Sequence, residues 1–268
     1  MNPSVKIVVL SLPTATARRS QMSAMLGNTS LDWQYFDAHA SLMCPNLHYD
    51  GAELRRHFGR NLSPPEIAVC SSHAAILQEF VDRNQADYIL VLEDDVIFDT
   101  DFPLDQFCAF CASNGLEYVR LFGKHYAKAV HLGFFYDRSI VRFTTSPAGA
   151  QAYLMSRMAA RRFLDSYRSI RATVDLAMDS FWITELPIYS IFPYPIIERF
   201  SPTSIPMPPH TVEVRGLEHA IWQGARVVNK AKKILTNAKL RKSDESLRQR
   251  HWQFRQVGRV DVEQRRDP

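Results

Sequence analysis

The sequence predicts an α/β protein in which helices flank an open, mostly parallel sheet. Two short apolar runs at 5–12 and 33–38 are separated by a stretch of helical character at 15–26, so the chain opens as strand, helix, strand. Such a connection is long enough for a crossover, which favours parallel pairing of the two strands. After residue 214 the pattern changes to a basic amphipathic periodicity, which predicts a C-terminal helix.

The composition indicates a globular protein with a substantial core. The chain has 268 residues, of which 46% are apolar and 22% charged. No apolar run reaches the roughly 18 residues of a membrane-spanning helix, and the N-terminal run lacks the basic leader of a signal peptide. The four cysteines suggest buried thiols in a reducing cytoplasm rather than a disulfide framework: Cys44, Cys70, Cys108 and Cys111.

The strongest helix signal in the first half of the chain lies at 62–84. Ser63 is a good N-cap, Pro64 suits the first turn, and Glu66 follows Ser63 by three residues as in a capping box. The apolar run at 87–93 predicts the next strand. These elements continue the alternation of strand and helix that is typical of a parallel sheet.

The second half of the chain predicts further strands and shorter helices. We expect strands at 118–123 and 187–195, a strand leading into a helix at 149–167, and a helical turn at 175–182. A long basic helix follows, from about 214 to 242. We therefore divide the chain into a catalytic body, residues 1–214, and a basic helix with its tail, residues 215–268.

A run of carboxylates stands at the end of the strand in "YILVLEDDVIF". Glu93, Asp94 and Asp95 follow this strand directly, and Asp37 ends another. In open α/β sheets, ligands bind beyond the carboxyl ends of the strands. A divalent cation would offset the repulsion, and Mg²⁺ or Mn²⁺ prefers such hard oxygen ligands, completed by substrate phosphates. We therefore predict a cation site with a phosphorylated ligand; a solvated acidic turn is the alternative.

Two other groups of residues are candidates for binding. His73 lies seven residues after Glu66, so both share a helix face, although a lone helical histidine often has a structural role. Arg18 and Arg19, near the start of the first helix, are placed to meet a diphosphate. The alternative for these arginines is a solvated pair.

Five segments in a fixed order carry a resemblance to a known family. They span about residues 5–165 and read "IVVLSLPTATARR", "YFDA", "LSPPEIAVCSSHAAIL", "YILVLEDDVIF" and "GAQAYLMSRMAARRFL". In these segments the sequence resembles glycosyltransferase family 25, the lipopolysaccharide and lipooligosaccharide transferases. One departure is Ala68, where the family usually has glycine.

The resemblance implies a GT-A-like fold, a UDP-sugar donor and a divalent cation, Mn²⁺ or Mg²⁺. Glu93 and Asp95 would be the metal residues, with Asp95 as a direct ligand. Asp94 would point the other way if strand alternation continues. The nucleotide-sugar site implied by the resemblance comprises Ser11, Arg18, Arg19, Asp37, Glu66, Ser72, His73, Asp94, Gly149 and Tyr153.

Family members that make β-linked galactose from an α-linked UDP-sugar invert the anomeric centre. Inversion requires a general base and stabilisation of the departing diphosphate. In "VDLAMDSFW", Asp175 and Asp179 share a helix face, and Trp182 is a suitable platform for a sugar. We prefer Asp175 as the base. The alternatives are an N-cap at Asp175 with a surface aspartate at Asp179, or two further metal or acceptor ligands.

The C-terminal segment is strongly basic. Residues 215–268 hold 14 Lys and Arg against 6 Asp and Glu, whereas residues 1–214 hold 18 against 22. The helix carries one apolar stripe, formed by Leu217, Ala220, Ile221, Gly224, Val227, Val228, Ala231, Leu235 and Ala238. Basic amphipathic helices of this kind bind anionic membranes. We expect this helix to attach the protein to the cytoplasmic face of the inner membrane, where a lipid-linked oligosaccharide acceptor is built.

Other functions stay open at this level. The stripe has an alternative role, which is to pack against the body. A metal-dependent phosphoesterase or nuclease would use the same carboxylates, and a non-catalytic membrane scaffold would leave them at the surface. We expect no nucleic-acid partner, because the sequence has no recognisable binding module and few interleaved aromatic residues. Our main prediction is an inverting transferase that moves galactose from UDP-galactose to a lipooligosaccharide or lipopolysaccharide glycan.

Overall fold

The computed structural model describes residues 3–83, 85–199 and 212–264, and within these ranges the chain forms ten strands and eight helices. The strands are β1 Val5–Ser11, β2 Trp33–Asp37, β3 Tyr88–Glu93, β4 Val96–Phe98, β5 Tyr118–Arg120, β6 Ala129–Phe135, β7 Arg138–Phe143, β8 Ala152–Ser156, β9 Tyr189–Phe192 and β10 Ile196–Glu198. The helices are α1 Thr16–Leu26, α2 Gly51–Phe58, α3 Pro64–Arg83, α4 Leu104–Asn114, α5 Arg157–Ser166, α6 Val174–Met178, α7 Phe181–Thr184 and α8 Gly216–Gln264.

The main sheet of the described chain has eight strands in the order β2-β1-β3-β8-β5-β9-β7-β6. The β1 strand pairs in parallel with β2 and β3, and β5 pairs in parallel with β9. Only β8 and β7 run against the other six strands of this sheet. The predicted α/β architecture with flanking helices is confirmed. The remaining strands, β4 and β10, form a separate antiparallel ribbon.

The strand register aligns the predicted site residues at one edge. Ser11 at the end of β1 lies opposite Asp37 of β2, and its neighbour Leu10 lies opposite Glu93 of β3. The β8 strand begins at this edge, because it runs against β3 and pairs Ala152 with Leu92. The carboxyl ends of three adjacent parallel strands therefore meet there, as expected for a ligand site in an open sheet.

Helices cover both faces of the sheet because its central strands are apolar on both sides. On one face, Val8 and Val91 belong to a core that includes residues of α3 and α5. On the other face, Val9 and Leu90 belong to a core with residues of α1 and α4. Fully burying one such side chain stabilises the fold by about 1.5–3 kcal/mol. The four cysteines are free and buried, as predicted.

The long helix α8 packs against the body through polar and charged residues. The Arg142 guanidinium on β7 donates to both carboxylate oxygens of Asp244, at 2.7 and 2.8 Å, and both residues are buried. Trp182 Nε1 donates to Asn229 Oδ1 at 3.2 Å, and the Trp222 ring covers Gly59. These contacts fix the inner face of α8.

The apolar stripe predicted for this helix is on its outer face. Leu217 is 77% exposed, Val227 67% and Leu235 62%, and every other residue of the stripe is also exposed. The alternative that this stripe packs against the body is therefore wrong. Packing uses a second stripe, three to four residues apart, that the apolar pattern did not reveal. The helix also continues to Gln264, beyond the predicted end near residue 242.

No helix in the described ranges has an apolar stretch long enough to cross a membrane.

Candidate functional site

The three neighbouring carboxylates at the end of β3 have different surroundings. Glu93 is the last residue of β3, and its backbone N–H donates to the Gln151 carbonyl at 2.8 Å. Asp94 and Asp95 form the turn that leads into β4. The chain therefore presents three adjacent acidic side chains, and they differ in the partners that they have.

Asp94 is buried and bound by the protein itself. It accepts a hydrogen bond from Ser11 Oγ at 2.6 Å and an ion pair from Arg18 Nη1 at 3.0 Å. These bonds connect the end of β1, the first turn of α1 and the end of β3. Asp94 therefore holds Arg18 at the edge of the sheet.

Arg19 is engaged in a similar way. Its guanidinium donates to the Ser11 carbonyl at 2.9 Å and to the Leu12 carbonyl at 3.1 Å, and it pairs with the Asp37 carboxylate. It also lies over the Tyr35 ring, 4.7 Å from the centroid. Arg19 thus ties the ends of β1 and β2 together.

Asp95 differs from Asp94 because one of its oxygens lacks a partner. Its Oδ1 atom is buried and has no hydrogen-bond partner in the described part of the chain. Burial, together with the Glu93 carboxylate, raises the pKa of Asp95 to about 7. An orphaned acceptor beside like charges is unfavourable unless a ligand completes it.

The carboxylates fit a divalent cation only in part. Among the described residues, no three His, Cys, Asp or Glu side chains converge as a ligand set. Glu93 and Asp95 supply the hard oxygens that Mg²⁺ and Mn²⁺ prefer, and Asp95 Oδ1 is without a partner. This arrangement matches a site in which substrate oxygens provide the remaining ligands.

Behind Glu93 lies a chain of fully buried polar groups. His73 Nε2 is 3.5 Å from Glu93 Oε1, which is longer than a good hydrogen bond. His73 Nδ1 bonds the Tyr153 hydroxyl at 3.1 Å. His73 and Tyr153 are completely buried, and His73 Nε2, which faces Glu93, has no hydrogen-bond partner in the described chain.

Glu66 and Ser72 are also bound within the protein. Glu66 Oε2 accepts from the Ser63 N–H at 2.8 Å and Glu66 N–H donates to Ser63 Oγ at 3.4 Å, which confirms the capping box. Arg60 donates to both Glu66 oxygens, at 2.7 and 3.0 Å. Ser72 Oγ accepts from the His39 N–H at 2.9 Å and so holds the loop after β2.

A buried arginine organises the opposite side of the edge. Arg120 at the end of β5 pairs with Asp179 Oδ1 at 2.6 Å and donates to the Asp175 carbonyl at 3.1 Å. It also donates to the Gly149 carbonyl. Asp179 Oδ2 accepts from Ser146 Oγ at 2.5 Å and from the Ala148 N–H at 3.0 Å. Asp179 is therefore saturated with partners.

Asp175 holds the same loop but is less buried than Asp179. Its Oδ2 accepts from the Gly149 N–H at 3.0 Å. Burial alone would raise the pKa of Asp175, but hydrogen bonds from Thr173 and Gly149 hold it below its ordinary value. Asp175 is therefore ionised at neutral pH and partly accessible.

The backbone conformation at position 149 favours glycine, and the space around it is narrow. Its φ of +79° lies in the left-handed region, and an added Cβ would come within 2.4 Å of Gln151 Oε1. Since the Gln151 carbonyl binds the Glu93 N–H, Gly149 connects the loop held by Arg120 to the carboxylate run. The two groups of residues thus belong to one edge.

Sequence reasoning missed three residues at this edge. Arg120, Gln151 and Arg199 were not among the candidates, although Arg120 stands inside an apolar run. A charged residue in a buried strand is a signal for a buried ion pair. Trp182, expected as a sugar platform, instead packs against α8, where Lys233 lies over its ring at 5.2 Å.

A cavity of about 160 Å³ lies elsewhere, between α3 and the starts of β1, β2 and β3. It is lined in part by Lys6, Gln34 and Ile89, each the second residue of its strand. This position is at the opposite end of the strands from the carboxylates. We place the candidate site at the carboxylate edge because the ionisable groups converge there.

Comparisons with known proteins show the family of the chain. A sequence model described as glycosyltransferase family 25 (LPS biosynthesis protein) matches residues 4–179, which include every residue of the edge described above except Arg199. The chain is 29% identical to "Lacto-N-neotetraose biosynthesis glycosyltransferase LgtE" of Neisseria gonorrhoeae, over 69% of this chain and 71% of that protein. The protein of the same name from Neisseria meningitidis serogroup B is 28% identical, with the same coverage.

Similarity to solved structures is weaker. A197 from STIV aligns with a TM-score of 0.39 and 12% identity, over 77% of this chain and all of that one. A glycosyltransferase involved in glycosylation of the major capsid of PBCV-1 aligns with a TM-score of 0.32 and 13% identity, over 61% of this chain and 66% of that one.

Proposed function

Because the chain belongs to glycosyltransferase family 25, we propose that it transfers galactose from UDP-galactose to a lipooligosaccharide or lipopolysaccharide glycan. We propose that the transfer inverts the anomeric centre and depends on Mn²⁺ or Mg²⁺. The proposal is carried by the carboxylate run at the end of β3, where Asp95 Oδ1 lacks a partner in the described chain. The two Neisseria relatives are named for lacto-N-neotetraose biosynthesis, which supports an oligosaccharide acceptor.

Glu93 and Asp95 would hold the divalent cation together with oxygens of the donor diphosphate. Such a cation acts as a Lewis acid that stabilises the negative charge of the departing UDP. His73 would lie behind the Glu93 carboxylate, with its Nε2 3.5 Å from Glu93 Oε1 and its Nδ1 bonded to the Tyr153 hydroxyl. Asp94 binds Ser11 and Arg18 rather than the cation.

The nucleotide would lie along the ends of β1 and β2. This part of the edge is formed by Ser11, Arg18, Arg19 and Asp37. The two arginines would add positive charge near the diphosphate. Gly149 would lie near the donor sugar, in a loop that Arg120 and Asp175 hold through its carbonyl and its N–H. Glu66 and Ser72 act from behind, by holding the start of α3 and the loop after β2.

Asp175 is the proposed general base. The acceptor hydroxyl oxygen forms the new bond to C1 while the bond from C1 to the diphosphate oxygen breaks, and UDP leaves with that electron pair. Asp175 takes the hydroxyl proton, which an ionised and partly accessible carboxylate can accept. Asp179 is a positioning residue, because Arg120, Ser146 and Ala148 occupy its oxygens.

The outer face of α8 is the proposed membrane contact. It combines the exposed stripe of Leu217, Val227 and Leu235 with the lysines and arginines of this basic segment. Apolar and cationic side chains together favour the surface of anionic lipids. We propose that the protein works at the cytoplasmic face of the inner membrane, where its lipid-linked acceptor is available.

A donor panel tests the proposed reaction. UDP release from the purified full-length chain is measured with several UDP-sugars, with glycans ending in lactose or N-acetylglucosamine, and with either Mn²⁺ or EDTA. We expect release that requires both UDP-galactose and an acceptor, and that EDTA abolishes. Metal-dependent cleavage of phosphodiesters without sugar transfer would overturn the proposal in favour of a phosphoesterase.

A further inference from the structure

The ribbon formed by β4 and β10 brings an arginine beside the carboxylate run. In this antiparallel pair Glu198 lies opposite Val96, so the next pair outward is Arg199 and Asp95. The Arg199 N–H donates to the Asp95 carbonyl at 2.6 Å, which shows that the register continues to these residues. Side chains of directly opposed residues lie on the same face of a ribbon. Arg199 and Asp95 therefore share a face.

These two oppositely charged side chains each have an unused buried atom. Arg199 Nε and Asp95 Oδ1 are both buried, and neither has a hydrogen-bond partner in the described chain. A buried polar atom without a partner costs about 1–3 kcal/mol, and more when the group is charged. A buried donor and a buried acceptor on paired residues, both without a partner in the described chain, indicate that a polar ligand belongs at this end of the ribbon.

Other arginines at the edge are already engaged. Arg18 is paired with Asp94, and Arg19 is paired with Asp37 and with two backbone carbonyls. Arg199 instead presents an N–H donor that no described group satisfies, and its backbone N–H binds the backbone carbonyl of Asp95. A guanidinium is well suited to phosphate because its planar fork of donors matches two phosphate oxygens.

We propose that Arg199 binds the diphosphate of the nucleotide-sugar donor and stabilises the charge of the leaving UDP. This inference rests on the proposed function and adds a residue that lies outside the matched region 4–179. Asp95 would hold the cation and Arg199 would bind diphosphate oxygens, each at the same end of the ribbon. The donor together with its cation would then satisfy both orphaned atoms.

Calorimetric titration of the full-length chain tests this role, with UDP and uridine as ligands in the presence of Mn²⁺. We expect Arg199→Gln to weaken UDP binding by about tenfold to a hundredfold, as for a lost hydrogen bond to a charged group, and to leave uridine binding unchanged. Arg199→Lys keeps the charge and should fall between the parent and Arg199→Gln. Arg161→Gln, an exposed arginine on α5, is the matched control and should bind like the parent.

The outcomes separate the two proposals. If the parent binds UDP and both Arg199 variants bind it equally well, the role of Arg199 is overturned and the proposed function stands. If the parent binds no UDP, the proposed function itself fails. An equal loss of UDP and uridine binding would assign Arg199 a structural role and overturn the inference. If Arg199→Gln does not fold, Arg199→Lys alone tests the inference, because it should still weaken UDP binding relative to the parent.

Discussion

At the scale of single residues, the neighbours Asp94 and Asp95 have different environments. The Asp94 oxygens bind Ser11 and Arg18, whereas Asp95 Oδ1 is buried without a partner in the described chain. Removing the negative charge should therefore affect stability at Asp94 and ligand binding at Asp95. Substitution of Asp94 breaks bonds that hold the fold, and substitution of Asp95 removes the proposed metal ligand.

We expect Asp95→Asn to abolish the gain in UDP affinity on adding Mn²⁺ while leaving the melting temperature near that of the parent. Asp94→Asn should lower the free energy of unfolding by about 1–3 kcal/mol, because it weakens a buried charged hydrogen bond and an ion pair. Calorimetric titration and thermal denaturation distinguish the two. A parent-like response of Asp95→Asn to Mn²⁺ would remove Asp95 as a metal ligand.

Asp175 and Asp179 allow a similar separation. Asp175→Asn should reduce transfer by about a hundredfold to ten-thousandfold, since the base is lost, with UDP binding retained. Asp179→Asn should lower the free energy of unfolding by about 3–5 kcal/mol, because Arg120 would be left buried and without its partner. Initial rates of UDP release and urea denaturation measure the two effects. Turnover of Asp175→Asn at the parent rate would eliminate Asp175 as the base.

At the scale of elements, the start of α3 shows which features of a helix terminus can be predicted from sequence. The spacing of Ser63 and Glu66 predicted a capping box, and both hydrogen bonds are present. The contribution of Arg60 was not predicted, because its pairing with Glu66 depends on the turn between α2 and α3. Local pattern thus indicated the cap, and tertiary structure added its strongest bond.

The Glu66 cap predicts a pH dependence of stability. Burial would raise the pKa of Glu66, but Arg60 and Ser63 hold it below the ordinary value of 4.5. Its charge therefore stabilises the fold above pH 4.5, and this contribution is lost as the pH falls through the folded pKa. Glu66→Gln should lower the free energy of unfolding by about 1–2 kcal/mol at pH 7.

Urea denaturation at pH 7 and at acidic pH measures this effect. The difference between the parent and Glu66→Gln should shrink as the Glu66 carboxylate becomes protonated. Glu79→Gln, an exposed position on the same helix, is the control and should change stability little at either pH. A difference that is constant with pH would contradict the assignment.

Helix α8 shows why an apolar stripe alone does not reveal the packed face. Asn229 and Asp244 lie on the inner face, because Trp182 and Arg142 of the body bind them. The body partners are distant in sequence, so the pattern of α8 offers no sign of them. The visible stripe was the one that the fold leaves exposed.

The outer face predicts a measurable affinity for membranes. Substituting Ile221, Val228 and Leu235 together by serine should reduce flotation with phosphatidylglycerol vesicles by about tenfold or more, because exposed apolar area is lost. Full-length protein is used, because α8 is packed on the body. Met158→Ser on α5 is the control, since Met158 is an exposed apolar residue away from α8. Unchanged flotation of the triple variant would end the membrane proposal.

At the scale of the whole molecule, the first three strands and the helices α1 and α3 follow from local pattern. Dense apolar runs, Pro13 and the capping box define these elements in the sequence. Helices α2 and α4 and the hairpin of β6 and β7 were not predicted. The hairpin turn contains Tyr136 at a positive φ of 50°. Residues other than glycine rarely adopt this conformation, so a tyrosine gives no signal of such a turn.

The order of strands in the sheet was beyond local reasoning. Insertion of β8 between β3 and β5 reverses one strand at the centre, and it depends on contacts between residues far apart in the chain. The same holds for Arg120, whose partner Asp179 is 59 residues away. The position of the carboxylates at strand ends predicted the edge. The hydrogen-bond partners that distinguish one carboxylate from the next come from distant parts of the chain, so the sequence did not reveal them.

The bond between Arg142 and Asp244 has a consequence for the geometry of the protein at a surface. It fixes the rotation of α8 about its own axis, so the angle between the outer face and the carboxylate edge is constant. One residue advances an α-helix by about 100°. A single inserted residue between Leu235 and Asp244 would therefore turn the outer stripe by roughly a quarter turn relative to the body. The rotation of α8 about its axis therefore determines the direction in which the carboxylate edge faces relative to the outer stripe.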